Sequence, residues 1–165
     1  RHHSRGINMQ LCLNNADMLK ANKGGYFEEL MHAEREFRVH VCDGNAFYID
    51  EKIPRKEGKN ALIKNMDNGY KYREPKTYIP ISVKEQAIKA VEALNLEFGA
   101  VDIGCNGSCV WVYEVNTAMG LRSKTRKLYQ QELNKLIDKK IAQLKEEEEM
   151  IADMYGNPIV LLRPM

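Results

Sequence analysis

The sequence predicts an α+β domain: an antiparallel sheet built from hairpins, with packing helices and a long helix near the C-terminus. Three observations carry this. Two pairs of strand-like segments flank turn residues, at Asp43-Gly44 and between Gly104 and Cys109. Apolar residues at helical spacing follow each pair, over Val83 to Leu94 and Leu133 to Leu144. No regular βαβ rhythm, internal repeat or Pro/Gly/Ser linker divides the chain.

In chain order, Ile7 to Cys12 reads as a strand and Asn15 to Asn22 as a short helix started by Asn14 or Asn15. Tyr26 to Leu30, after Gly24-Gly25, is a short strand candidate. Phe37, Val39 and Val41 alternate with Glu36, Arg38 and His40, the period of a half-buried strand, and Asp43-Gly44 turns the chain into a partner over Phe47 to Ile53. Pro54 to Ile79 is polar and basic, and reads as a long mobile segment with a short strand near Ala61 to Ile63. Its apolar area is too small to offset the ordering entropy without outside help, and its basic residues repel one another. Ser82 and Glu85 form a capping-box pattern, and Val83, Ala87, Ile88, Val91 and Leu94 make one stripe on the helix that follows. Phe98 to Ile103 and Val110 to Val115 are the next strands. A helix from Ser123 to Met150 is expected to bury Leu133, Ile137, Ile141 and Leu144, with Glu146 to Glu149 solvated. Pro158 to Leu162 is a candidate edge strand.

The 165 residues, 44% apolar and 29% charged, suffice for one domain with a real core. That balance excludes collagen-like, disulfide-dense and disordered classes. No apolar run approaches the roughly 18 residues of a membrane span. The net charge of +2 argues against polyanion binding as the main role. The basic stretch Lys52 to Lys76 interleaves acids with its tyrosines, so a nucleic-acid contact ranks last. The chain opens on Arg1 rather than Met, as a processed or trimmed product would, with no charged-then-apolar leader; the expected location is cytoplasmic. Cys12 and Cys42 read as small buried hydrophobes. Cys105 and Cys109 flank a turn, and the sequence leaves a disulfide between them open.

The informative constellation is Asp102 with Glu114 and Asn116. If three residues separate a directly opposed Cys105 and Cys109, all three oxygen-bearing side chains share one sheet face; a two-residue turn would turn Asp102 away. Like charges placed together call for a cation, and hard oxygen donors favour Mg²⁺ or Mn²⁺. A solvent-facing polar face needs no metal and is the competing reading. On the first hairpin, a two-residue turn puts Glu36 and Arg38 on one face and Lys52 on the other, unless a bulge brings Lys52 over.

The stretches Phe98 to Ile103 and Tyr113 to Leu121 resemble the metal-binding end of the ATP-grasp ligases, closest to the group that adds glutamate to a ribosomal protein and to related virus-encoded forms. His3 to Ile7 resembles the family's glycine-rich loop, Glu36 to Val41 its arginine-bearing strand, and Asn65 to Tyr70 a segment before the capped helix, all in the family's order. Met119 stands where the family has Pro.

The resemblance implies an ATP-dependent ligase that joins a small-molecule or peptide carboxylate to an amine or thiol through an acyl-phosphate. Its cofactors would be ATP and Mg²⁺ or Mn²⁺, the metal held by Asp102, Glu114 and Asn116. Arg38 and Arg55 would serve the transferring phosphoryl group, with Lys52 ranked beside Arg55. Ser4 and Gly6 would close on the phosphates. Glu28, Glu29 and Leu30 would meet the adenine, and Glu36 the ribose. Residues 1–130 would form the C-terminal subdomain of the ATP-grasp fold, and 131–165 a helical extension packed on it. The family's N-terminal half would precede Arg1 or come from a second chain, so the isolated chain is expected to turn over poorly. The alternative is a non-catalytic binding or assembly protein on the same fold, using the long helix.

Overall fold

The computed structural model describes residues 12–21, 29–56, 64–66 and 68–155. The element order is α1 (Asn15–Ala21), β1 (Arg35–Cys42), β2 (Asn45–Pro54), β3 (Tyr70–Arg73), α2 (Ile81–Ala93), β4 (Phe98–Asn106), β5 (Cys109–Asn116) and α3 (Ser123–Tyr155). The strands form one antiparallel sheet in the order β3-β2-β1-β4-β5. This is the expected α+β arrangement, with β1 at its centre.

One sheet face is apolar. Phe37, Val39 and Val41 of β1, Ile49 of β2, and Val101, Ile103 and Cys105 of β4 pack there against Val83, Ala87 and Val91 of α2. Alternation along each strand sends the intervening polar residues to the other face. The first hairpin turns on Asp43 and Gly44, at φ +49° and +70°, the left-handed pair that a two-residue turn requires.

Each hairpin then carries one extra residue. Val41 faces Ala46, but His40 faces Tyr48, so Phe47 is a bulge. In the second hairpin Ile103 faces Val112, but Asp102 faces Glu114, so Tyr113 is a bulge. The turn between β4 and β5 has two residues, Gly107 and Ser108, rather than three, so Cys105 faces Val110 and not Cys109. All four cysteines are free, with Cys42 and Cys105 buried and Cys109 exposed.

Other expectations change in detail. Pro80 occupies the N-cap of α2 and no side chain caps it; the helix starts at Ile81, which places Ser82 too far inside the first turn to act as a cap. Asn95, at φ +52°, ends α2 as its N–H bonds to Glu92 O and that of Leu96 to Val91 O, which leaves Leu94 exposed. Pro54 to Ile79 is not a single long loop: Tyr70–Arg73 pair with the outer edge of β2, and Tyr70 is buried. The candidate strands Ile7 to Cys12 and Ala61 to Ile63 fall on or largely on residues outside those described, as does Pro158 to Leu162. Of Tyr26 to Leu30, only Glu29 and Leu30 are described, and they form no strand.

On α3 the buried positions are Thr125, Tyr129 and Leu136, while Ile137, Ile141 and Leu144 are exposed and Leu133 is half-buried. The expected stripe is real but lies off the line that meets the sheet. Tyr129 instead stands edge-on to Phe47 with ring centroids 4.9 Å apart, and to His40 at 5.4 Å.

Gly104 is where the second hairpin's bulge presses on β4. A Cβ there would meet the Trp111 ring at 2.5 Å and the Tyr113 hydroxyl at 2.7 Å. Gly104→Ala is expected to lower stability by about 1–3 kcal/mol through this overpacking, read as a lower urea midpoint at unchanged m-value.

Candidate functional site

The two bulges place the polar face. Counting from the turn alone, Lys52 would point to the core side and Asp102 away from Glu114. Phe47 and Tyr113 each add one residue, and both hairpins come back into phase with β1. Three rows of side chains then run across the sheet. One holds Asp50, Arg38, Asp102 and Glu114 on β2, β1, β4 and β5. Beside it lie Tyr72, Lys52, Glu36, Gly104 and Trp111. On the other side are Tyr48, His40, Ala100 and Asn116.

Arg38 is the hub. Its Nε and Nη2 fork onto Asp102 Oδ1 and Oδ2 at 2.6 and 2.8 Å, and its guanidinium lies 4.7 Å from the centre of the Tyr72 ring. Burial works against its charge, yet the hydrogen bonds and negative charge of Asp102 outweigh that and raise its pKa. Lys52 Nζ bonds to Glu36 Oε2 at 3.1 Å, and Lys64 Nζ sits 3.3 Å from Glu36 Oε1. Burial disfavours the Lys52 charge too, but Asp102, Tyr72 and Glu36 raise its pKa on balance. The Tyr72 hydroxyl is raised first by burial and then by Asp102. Asp50 accepts from Arg122, just before α3, and from the Tyr48 hydroxyl.

Asn116 Nδ2 donates to Glu114 Oε1 at 2.8 Å, which leaves Asn116 Oδ1 and Glu114 Oε2 to other partners. Asp102 and Glu114 are directly opposed, with Arg38 neutralising the first. The donors are all hard oxygens, the chemistry that suits Mg²⁺ or Mn²⁺. Only two of the three are acids; among the described residues no group of three or more His, Cys, Asp or Glu forms a metal cage.

Of the residues singled out from sequence, Arg38, Glu36, Lys52, Asp102, Glu114 and Asn116 therefore share one face. Arg55 lies past the end of β2, exposed, its N–H bonded to Gly69 O, and does not join the rows. Glu29 and Leu30 are exposed and lead into residues 31–34, whose backbone meets Tyr113, Asn106 and Lys64. Ser4, Gly6 and Glu28 lie outside the described residues. Sequence reasoning missed Asp50, Tyr72 and Arg122. The alternation Tyr70-Lys71-Tyr72-Arg73 was the available signal for β3, and so for Tyr72.

No protein-family model matches this sequence. No curated protein matches it either. Among solved structures, the D-alanine–D-alanine ligase of Bacillus anthracis superposes with a TM-score of 0.50 at 22% identity, over 73% of this chain and 44% of the ligase. Over that stretch the fold is a partial ATP-grasp-like match. The same ligase complexed with ATP gives a TM-score of 0.48 at 23% identity, over 71% of this chain and 43% of the ligase. The ATP-grasp ligase PsnB, complexed with a phosphomimetic precursor variant, Mg and ADP, gives 0.43 at 20% identity, over 58% of this chain and 28% of that one. This chain thus spans less than half the length of the ligases it matches. No helix among its described residues is long and apolar enough to cross a membrane.

His40 lies at the foot of the face, 3% exposed, its Nδ1 3.1 Å from the Tyr129 hydroxyl, which in turn donates to Gly99 O. Burial pulls its pKa down to about 4, with Asp50 and Asp102 opposing and Arg38 and Arg122 assisting. The unfolded chain titrates this group near the ordinary value of about 6.5. Between those values the unfolded chain binds a proton that the fold refuses, so stability rises with pH across the window and is full above it. In His40→Gln, the loss of stability between neutral pH and pH of about 4 should be smaller than in the parent by about 2–3 kcal/mol, measured by urea unfolding at both.

Proposed function

We propose that this chain is the nucleotide- and metal-binding part of an ATP-dependent carboxylate–amine or carboxylate–thiol ligase working through an acyl-phosphate. The supporting observation is the row Arg38, Asp102, Glu114 with Asn116 beside it, on a fold matched by a D-alanine–D-alanine ligase. Phosphoryl transfer asks a protein for alignment and charge neutralisation more than for a covalent group. This face offers both signs of charge within a few strand spacings.

Asp102, Glu114 and Asn116 would hold Mg²⁺ or Mn²⁺ through oxygen atoms. An ion held there would supply charge neutralisation to a polyphosphate. Arg38, forked on Asp102, presents a planar donor that suits a transferring phosphoryl group. Lys52, brought onto the same face by the Phe47 bulge, is the better second phosphate contact; Arg55 takes that role only if its segment folds over the face. Glu36 joins the adjoining row between two lysines, where release of either would free an oxygen for a ribose hydroxyl. By the resemblance alone, Ser4 and Gly6 would close on the phosphates, and Glu28, Glu29 and Leu30 would meet the adenine. The acyl substrate would be a small-molecule or peptide carboxylate and its acceptor an amine or thiol. The remainder of the site would come from a further segment or a second chain.

Calorimetric titration with ATP tests this. Affinity should rise when Mg²⁺ is added, and Glu114→Ala should lose that gain by at least about tenfold, since even outer-shell partners of a metal are worth that much. Glu114 is exposed, so the variant should keep its fold. ATP affinity that is indifferent to Mg²⁺ and to Glu114→Ala would remove the metal-site reading.

A further inference from the structure

We propose that α3 pairs with α3 of a second copy of this chain as an antiparallel two-helix coil. The helix has 33 residues and is about 50 Å long. It meets the sheet through Tyr129, with Thr125 and Leu136 also buried, and its last described ties to the body are Lys139 with Asp43 and Lys140 with Glu97. Nothing described contacts the stretch from residue 141 onward, which is exposed almost throughout. A free helix of roughly 15 residues is marginal in water, and the run Glu146 to Glu149 weakens it further.

The same stretch carries an apolar seam. Ile137, Ile141, Leu144 and Ile151 are 53%, 46%, 59% and 39% exposed and recur at spacings of four, three and seven. They lie roughly a quarter-turn away from Tyr129 and Leu136, so the sheet does not cover them. This is a heptad seam with Ile141 at a and Leu144 at d.

Charge chooses the occupant and its direction. In this heptad Asp138 and Lys145 take e positions, and Lys140 and Glu147 take g. When Ile141 packs on Leu144 of an antiparallel second copy, e faces e and g faces g. Asp138 then meets Lys145 of the second copy, and Lys140 meets Glu147 of the second copy. Two-fold symmetry makes each pair twice. A parallel pair would instead set Lys140 against Lys145 of the second copy, two like charges. Moving the antiparallel register by one heptad would set Lys145 and Glu147 each against its own twin. One direction and one register satisfy every flank. Glu148 interrupts the seam in the next layer, which costs affinity and helps to fix that register. Lys140 also holds Glu97 at 2.6 Å, an exposed pair that exchanges at little cost.

Sedimentation equilibrium on the whole 165-residue chain tests this independently of any nucleotide. A monomer–dimer equilibrium is expected. Ile141→Lys with Leu144→Lys should abolish it while leaving the unfolding of the sheet unchanged. Lys145→Glu should weaken the dimer about tenfold, and adding Asp138→Lys should restore it. A chain that stays monomeric at all concentrations overturns the proposal. A dimer strengthened by Lys145→Glu overturns it too, since that marks the parallel pair. So does a dimer indifferent to the seam and charge variants.

Discussion

A strand offers a side chain two directions only, and the polar face exists because two single-residue bulges choose the same one. Without Phe47, Lys52 would enter the core and Ile49 would leave it; without Tyr113, Glu114 would leave Asp102. β1 is the fixed reference, paired on both sides, and Arg38 stands between Asp50 and Asp102. The guanidinium sets a cation between the acids Asp50 and Asp102, and leaves Glu114 as a second acid beside Asp102. Around it, Lys52 pairs with Glu36 and Arg122 with Asp50. Burial raises the cost of leaving any of these charges alone, so they are mutually dependent.

Much of this was legible in the sequence because strands and turns write short-range signals. The alternation in Glu36 to Val41 and the Asp43-Gly44 pair specify the first hairpin and its turn, but not its register beyond Phe47. Asp102, Glu114 and Asn116 were also recognisable as a set, and the structure does bring them to one face. Its route differs from the one first expected, because the turn is a residue shorter and Tyr113 makes up the difference. Bulges leave little local trace: Phe47 and Tyr113 are ordinary strand formers, and only the pairing shows that each is one residue too many. The same limit hid Tyr72, whose four-residue strand gains its meaning from pairing with β2.

Helices show the complementary limit. Periodicity identified an apolar stripe on both α2 and α3, and on α2 the positions Val83, Ala87 and Val91 are indeed the buried ones. On α3 the period is equally clear, but the sheet is met by Tyr129 instead, and the buried leucine is Leu136. A stripe states which face seeks cover and says nothing about what supplies it. An aromatic contact between Tyr129, Phe47 and His40 decides the docking of α3, and that contact depends once more on the bulge.

The chain contains one tryptophan, and the packing of Gly104 gives it an unusual post. With no side chain on Gly104, the Trp111 indole lies across β4, in the row next to Asp102 and Glu114 and edge-on to Tyr113 at 6.2 Å. Its emission therefore arises from a single, known point on the border of the polar face. Any molecule that settles among those carboxylates changes the field and the hydration around that indole. The protein thus carries its own optical probe, reporting occupancy of the face without a label and without perturbing a charged residue.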